Sequence, residues 1–579
     1  MSPLSLLCSL QAATLFLAAN AARVGARNHT TSGISWQPCP DDVNAVAALP
    51  VDCGTLAVPF DYTDAASTET IDLSLVRVPA ARQPAQHSIL FNFGGPGLEV
   101  RHTLAELADM LQVVTGGEHD LIGWDPRGVA DTFTFSCFAN ATDRVDITGQ
   151  LGLGNSSDTE RGVIWAAGKN YADACAEYPD AQKKGPLIGS STTAHDAMQI
   201  VDAVEEDGLL RFWGLSYGTS LGALIAGLFP DRIDKVVLDG VLNPIEYFNG
   251  KSDIQGYASS DVTLLEFFKD CLAAPELCTL AKNFPNTTAE QFEAATFALL
   301  EELKYRPIGY QGDVLGYDEL KTGIRFALYA PRTWLALDPV LAAFLAEPRN
   351  ETLAATALVA AVGSTLAADG SGQGNDAPIG IECVDKWHRT NSYDDYAATL
   401  DEAQSVSRLL GDVLATVPAT CGQWKLEPHE RFIGKFGDIK PRSPLLVIGN
   451  TYDPVTSIVS AKNISETIKG SRFLEHGGVG HTSIQQPSLC TARALQNYFR
   501  NGTLPAPNTA CKPVEANAFR FATSGPTWQD LFPQLGFKRP NPHGGNSTQA
   551  GGPLRRRRHT VGNPIVDLGR RQASVAVHR

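Results

Sequence analysis

Five residues, Gly214-Leu215-Ser216-Tyr217-Gly218, constrain this chain more than any other stretch. They spell G-x-S-x-G. The apolar run LRFWGL (210–215) leads into them, and a helix-forming stretch from Gly218 to Phe229, closed by Pro230, follows. A serine between a buried strand and a helix sits on a sharp turn. That turn needs small residues on either side and lifts the hydroxyl above the edge of a sheet. A chance Gly/Ser turn is the bland alternative, and the flanking strand and helix argue against it.

The rest of the chain supplies a sheet for that serine. TLAVPFDY (55–62) and TIDLSLVRVPA (70–80) alternate apolar and polar residues and predict an opening antiparallel pair. SILFNF (88–93), DLIGW (120–124), LRFWGL and KVVLDGV (235–241) are short apolar strands, with a helix predicted around 199–208. Apolar strands alternating with helices indicate a parallel sheet covered on both faces. The pattern stops over 245–435, where Ala, Leu, Glu and Phe recur at helical spacing. It resumes with PLLVIGN (444–450), a helix over 456–469, SRFLEH (471–476) and a helix over 489–500. The expectation is therefore an α/β protein of the α/β-hydrolase fold. Its central sheet is mostly parallel, with helices on both faces and a large helical lid inserted between strands. The predicted divisions are a signal peptide over 1–22, an N-terminal core over 36–244, the lid over 245–435 and a C-terminal core over 436–513. An extension over 514–579 follows, disordered from about 540, where Pro, Gly, Asn, Ser and Arg dominate.

A serine hydroxyl is a poor nucleophile without a base. In this fold the acid and then the histidine follow the serine in chain order. Asp453, in GNTYDPVT, lies just past a predicted parallel strand, where catalytic groups collect. Pro454 also suits a first helical position, so a helix N-cap is the alternative reading of Asp453, one that need not exclude catalysis. His481, in GGVGHTS, lies in a Gly-rich loop that can return an imidazole over Ser216. His476 is the rival base, but it ends a strand and is expected to pack against the sheet. The oxyanion hole needs backbone N–H groups. Tyr217 offers one and Gly95, in Gly94-Gly95-Pro96-Gly97, the other, since Pro96 has no N–H. A turn with no catalytic role is the alternative reading of those glycines.

FNFGGPG, DLIGWDPRG, GLSYG, DPVT and GVGH, with CGTLAVPFDY near the start and IECVDKW at 381–387, resemble the tripeptidyl aminopeptidase and prolyl iminopeptidase group of α/β-hydrolases. The resemblance runs roughly from Cys39 to Cys511, strong in the sheet and weak in the lid. It implies removal of short peptides or single residues from free N-termini through an acyl-enzyme on serine, with no metal and no cofactor. By resemblance Ser216 is the nucleophile, Asp453 the orienting acid and His481 the base. Asp125-Pro126-Arg127-Gly128 matches a family turn and is read as structural. The resemblance and nearness in sequence suggest the disulfides Cys39–Cys53, Cys137–Cys175, Cys271–Cys278, Cys383–Cys421 and Cys490–Cys511. One departure stands out. The family continues its GGPG turn with small residues, whereas this chain continues with Leu98-Glu99-Val100. Bulk and a negative charge beside the oxyanion hole are the expected consequence.

An aminopeptidase must hold a charged α-amine, and a desolvated ammonium needs a carboxylate. Asp385, in IECVDKW, is the first expectation, with Glu266, Asp270 and Glu99 behind it; a salt bridge or helix cap is the bland reading of Asp385. Two other functions fit the same residues: an esterase, lactonase or amidase acting on a small metabolite, and a non-catalytic binding protein. The intact Ser, Asp and His in correct order argue against the second.

Compartment and partners follow from simpler counts. The formal net charge is -16, so phosphate backbones and anionic lipid surfaces are poor partners, and a peptide or small-molecule substrate is expected. Residues 1–22 form an apolar run ending in Ala19-Asn20-Ala21, an A-x-A cleavage pattern; a membrane anchor is the alternative. Removing Cys8 with that segment leaves ten of the 11 cysteines, an even number that an oxidising compartment favours. Eight N-x-[ST] sequons stand at Asn28, Asn140, Asn155, Asn286, Asn350, Asn463, Asn501 and Asn546. Together these predict a secreted glycoprotein. The runs Arg555-Arg556-Arg557-Arg558 and Arg570-Arg571 in the tail read as trimming sites or as a weak basic patch.

Overall fold

LRFWGL is buried at every position, as a strand covered on both faces must be. It is β6 (Leu210–Leu215) of a 12-strand set described by a computed structural model covering residues 33–205, 207–366 and 376–538. Before it come β1 (Gln37–Pro38), β2 (Asp52–Pro59), β3 (Thr70–Val78), β4 (His87–Asn92) and β5 (His119–Trp124). After it come β7 (Ile233–Asp239), β8 (Ile308–Tyr310), β9 (Asp313–Leu315), β10 (Leu446–Tyr452), β11 (Arg472–Val479) and β12 (Ala510–Cys511). Ten of them form one sheet in the order β1-β2-β3-β5-β4-β6-β7-β10-β11-β12. The pairs from β1 to β3 and β3 with β5 are antiparallel, and every later pair is parallel. The expected segment 1–22 and the expected disordered tail from about 540 lie outside the described residues.

Alternate residues of the central strands feed two cores. Phe212, Val236, Leu238 and Val447 join the helices Ser190–Val204 and Tyr217–Leu228 on one face. Trp213, Leu215, Val237 and Ile448 join the helices Ala108–Thr115 and Leu489–Asn501 on the other. At about 25 cal/mol per Å² of apolar surface, this two-sided burial is the main force holding the sheet. The lid enters between β7 and β10, two strands that are neighbours in the sheet. It has its own core, built on Phe267, Phe268, Trp334 and Leu341. It is not wholly helical: β8 and β9 make a small antiparallel hairpin within it. Residues 518–535 pack back onto the body. Phe519 enters the lid core, and the Trp528 indole N–H donates to the Ile484 carbonyl at 2.8 Å.

The five disulfides join the pairs that the resemblance suggests. Asp125 and Arg127, of the turn read as structural, are both fully buried and bond other residues. Asp125 takes the Arg101 guanidinium at 2.8 Å, and Arg127 takes Asp196 at 2.7 Å. None of the six sequon asparagines among the described residues is buried. No helix among the described residues is long and apolar enough to cross a membrane.

Candidate active site

Ser216 stands between β6 and the helix Tyr217–Leu228 with φ +57° and ψ −127°. An L-residue holds such a conformation only where its surroundings enforce it. Here the Ser216 N–H donates to the Asp239 carbonyl at 3.1 Å, and the Ser216 carbonyl accepts from Thr219 N–H at 2.8 Å. Gly94 explains the glycines of the facing turn. A Cβ there would lie 2.7 Å from the Ser216 Cβ, so only glycine allows this approach. Tyr217 is the first residue of its helix, and its N–H has no intrahelical acceptor.

Asp453 and His481 meet beside this turn. The imidazole Nδ1 lies 3.0 and 3.2 Å from the two carboxylate oxygens of Asp453. Asp453 also accepts from the N–H groups of Val455, Thr456 and Thr482 and from the Thr456 hydroxyl. Asp453 is not a helix cap: the next helix, Ile458–Thr467, starts after Ser457, and the Asp453 carboxylate closes the turn before it while holding the imidazole. Burial works to raise its pKa. The His481 charge, the hydrogen bond to the ring and the converging N–H groups outweigh that and hold the carboxyl below its ordinary range. His481 Nε2 is buried without a hydrogen-bond partner, leaving it able to accept a proton. The loop is fixed from both sides. Asn450 donates to the carbonyls of Gly480 and Thr482, and the His481 N–H donates to the lid carbonyl of Tyr329 at 2.8 Å.

His476 is the other histidine, and β11 runs three residues past it. It is fully buried with Nδ1 on the Thr491 hydroxyl, and burial pulls its pKa down to about 4. It packs in the sheet, as the sequence suggests.

Ser216 opens onto a cavity of about 190 Å³ under the lid, with Gly95, Pro96 and Thr456 at its base. The acids lining it are Asp253, Asp318, Asp376 and Glu382. Asp385 is not among them. Its carboxylate accepts from Ser190 N–H at 2.7 Å, Ser190 Oγ at 2.5 Å and the Tyr247 hydroxyl at 3.0 Å. It holds the start of the helix Ser190–Val204, and through Ser190 it reaches the Tyr217 hydroxyl. Expectation and structure differ here by helix rotation. Three residues along a helix turn a side chain by about 300°, so Glu382 of the same segment faces the cavity while Asp385 faces away. Glu99 is also displaced from its expected place. Its carboxylate pairs with His102, whose other ring nitrogen lies 3.1 Å from Asp42, and this pairing raises the His102 pKa. Leu98 and Val100 are buried in the body, so the departure after the GGPG turn puts no charge on the cavity wall. Glu266 and Asp270 line no part of it, and Asp270 accepts from the Ala518 N–H at 2.7 Å.

Glu382 belongs to a cluster. Lys386, 1% exposed, lies 3.2 Å from Asp253 and 3.5 Å from Glu382. Burial pushes the Glu382 carboxyl up to about 8, Lys386 opposing and the hydrogen-bonded Asp253 adding. Two carboxylates therefore share one buried lysine.

Comparison with known proteins fits this geometry. Residues 407–511 match the family described as TAP-like protein. A tripeptidyl aminopeptidase of Streptomyces lividans is 25% identical over 86% of this chain and 89% of its own. The chain is an α/β-hydrolase related to the tripeptidyl aminopeptidases. Serine protease Hip1 of Mycobacterium tuberculosis is 26% identical to the hydrolase over 83% of this chain and 91% of its own. Carboxylesterase B of the same organism is 26% identical over 83% and 90%.

Sequence reasoning passed over Thr456, Asp239, Asp253, Glu382 and Arg325. Thr456 and Glu382 lie in quoted motifs, and Asp239 lies inside the predicted strand 235–241, two residues before its expected end. Asp253 and Arg325 sit in the lid with no local signal.

Proposed function

We propose that the hydrolase is a secreted serine aminopeptidase, with Ser216 as nucleophile, His481 as base and Asp453 as orienting acid. The observation that carries the reading is the cavity itself: Ser216 at one wall, and the carboxylates of Glu382 and Asp253, with a single lysine between them, at another. A substrate ammonium beside Glu382 would favour its ionised form and supply the second positive charge that two carboxylates need.

The chemistry is acyl transfer. His481 Nε2 takes the Ser216 Oγ proton as the oxygen attacks the scissile carbonyl, and Asp453 stabilises the imidazolium through Nδ1–H. The oxyanion takes hydrogen bonds from the N–H groups of Tyr217 and Gly95. Collapse breaks the C–N bond, and His481 gives its proton to the leaving amine. Water, deprotonated by His481, then attacks the acyl-enzyme and restores Ser216.

Five disulfides and surface placement of the described sequons support passage through an oxidising secretory route. An esterase or amidase is the second reading, favoured by the carboxylesterase relative. Substrate pairs differing only in N-acetylation separate the two. An aminopeptidase loses most of its kcat/KM on the acetylated member, and Glu382→Gln shrinks the difference. Equal turnover of both members selects the esterase or amidase reading.

A further inference from the structure

Two arginines line the cavity, and they differ in one respect. Arg144 is neutralised by Asp376 at 2.8 Å. Arg325, 2% exposed, has no carboxylate within ion-pair distance among the described residues, and its Nε and Nη1 have no hydrogen-bond partner. The groups beside it are the hydroxyls of Tyr257 and Tyr329, which are neutral. A buried cation without an anion is costly, and a fold that needed only bulk here would do better with an apolar side chain.

Its position is close to the chemistry. Arg325 and Tyr329 are four residues apart on the helix Tyr317–Tyr329, about one turn. The Tyr329 ring meets the His481 ring edge to face, with centroids 5.2 Å apart. Asp253 and Glu382 line the same cavity, as does Tyr257, whose hydroxyl feels Arg325 and both of these carboxyls. The cavity thus carries an unpaired positive charge near His481 and, elsewhere on its wall, two carboxyls that share one lysine.

We infer that Arg325 is the receptor for a carboxylate on the substrate, so the hydrolase favours short peptides that carry one near the scissile bond. A guanidinium suits this role because its planar fork grips a carboxylate with two parallel hydrogen bonds. The carboxylate comes from an acidic side chain or from the free C-terminus of a short peptide. The inference rests on reading the cavity over Ser216 as the substrate site.

Binding tests it apart from turnover. Calorimetry on the Ser216→Ala protein compares Ala-Ala-Ala with its C-terminal amide, and Ala-Glu-Ala-amide with Ala-Gln-Ala-amide. The first pair reads a terminal carboxylate and the second a side-chain carboxylate. A charge-assisted pair in a desolvated site should favour the acid by about tenfold or more in at least one arm. Adding Arg325→Gln should bring that ratio close to one, and Arg325→Lys should keep part of it. Removing an uncompensated buried charge should leave the melting temperature equal or higher. If the glutamine variant does not fold, the lysine variant carries the test through its reduced ratio. Equal binding of acid and amide in both arms overturns the inference, as does a preference that survives loss of the guanidinium. Turnover by the native protein is scored separately. Acid preference without peptide turnover sinks the peptidase reading alone, and peptide turnover without acid preference sinks the inference alone.

Discussion

Ser483 donates both its backbone N–H, at 2.9 Å, and its hydroxyl, at 2.6 Å, to the carboxylate of Asp239. Asp239 ends β7, and its own carbonyl accepts the N–H of Ser216. One residue therefore ties the nucleophile turn to the loop carrying His481. A Cβ on the next residue, Gly240, would lie 3.4 Å from the His481 ring, which shows how closely that strand end underlies the base. Asp239→Ala leaves two buried donors unpaired, at about 1–3 kcal/mol each. Misplacing the imidazole by about 1 Å should lower kcat roughly 100-fold. KM should change little, because Asp239 does not line the cavity. Asp239→Asn, which keeps one acceptor, should recover part of the loss. An unchanged kcat in the alanine variant would remove Asp239 from any positioning role.

The triad assignment predicts a specific ranking. Ser216→Ala should abolish turnover and labelling by a serine-directed phosphonate while the protein still folds. Asp453→Asn should cost roughly 10⁴-fold in kcat, since the wrong imidazole tautomer then faces Ser216. Adding His481→Ala to it should cost little more, because triad members act as a unit. His476→Ala should lower the melting temperature, because it empties a buried site, and should harm turnover less than His481→Ala. The reverse order of the two histidine changes would reject His481 as the base.

The sheet was legible in the sequence because its signals are local. LRFWGL is apolar at five of six positions, counting its glycine, and β6 occupies that run alone. β7 and β10 also fall on short apolar runs, but with shifted bounds: Ile233–Asp239 against the predicted 235–241, and Leu446–Tyr452 against 444–450. The lid was legible only as helical. The hairpin of β8 and β9 has three residues per strand, too few for a period to show. Site residues failed where the decisive fact was tertiary. Asp239 falls inside a predicted strand that in fact stops at it, and its partner Ser483 is 244 residues away. Glu382 and Asp385 are distinguishable only once the helix Ala377–Asp385 is given a rotation about its axis. That Arg325 has no counter-ion among the described residues is a property of everything packed around it.

Asp385 and Glu382 should separate under substitution. Asp385→Asn weakens the hydrogen bonds that hold Ser190 and, through it, Tyr217. The expected result is a stability loss of about 1–3 kcal/mol with discrimination against N-acetylated substrates retained. Glu382→Gln should do the opposite: little change in melting temperature and a smaller penalty for acetylation. If Asp385→Asn alone erased the discrimination, the amine would have to be recognised beyond the cavity-lining acids.

Stability should fall as pH rises from mildly acidic to mildly basic. Burial pushes the carboxyls of Asp125, Asp239 and Asp385 up to about 6, Glu246 and Asp270 to about 7, and Glu382 to about 8. In the unfolded chain these groups ionise at about 4. Between those values the folded protein binds more protons than the unfolded chain, so each group's contribution is complete below about pH 4 and is lost as pH climbs through its folded value. Asp453 works the other way. Its contribution is present above the ordinary carboxylate range and is lost as pH falls below it. A tenfold change in proton affinity on folding corresponds to about 1.4 kcal/mol. Asp453 and the other lowered carboxyls are ionised in both states across the neutral range, and the buried rings of His119 and His476, held down at about 4, oppose the trend only up to the ordinary histidine range, so the six raised carboxyls set the slope. The melting temperature, followed by calorimetry, should peak near pH 5, roughly where these opposing titrations meet, and drop by several degrees by about pH 8. Asp385→Asn should flatten part of that slope, because an amide has no proton to lose. A melting temperature that stays level or rises from about pH 5 to about pH 8 would mean that these carboxyls are ionised in the folded protein at ordinary values.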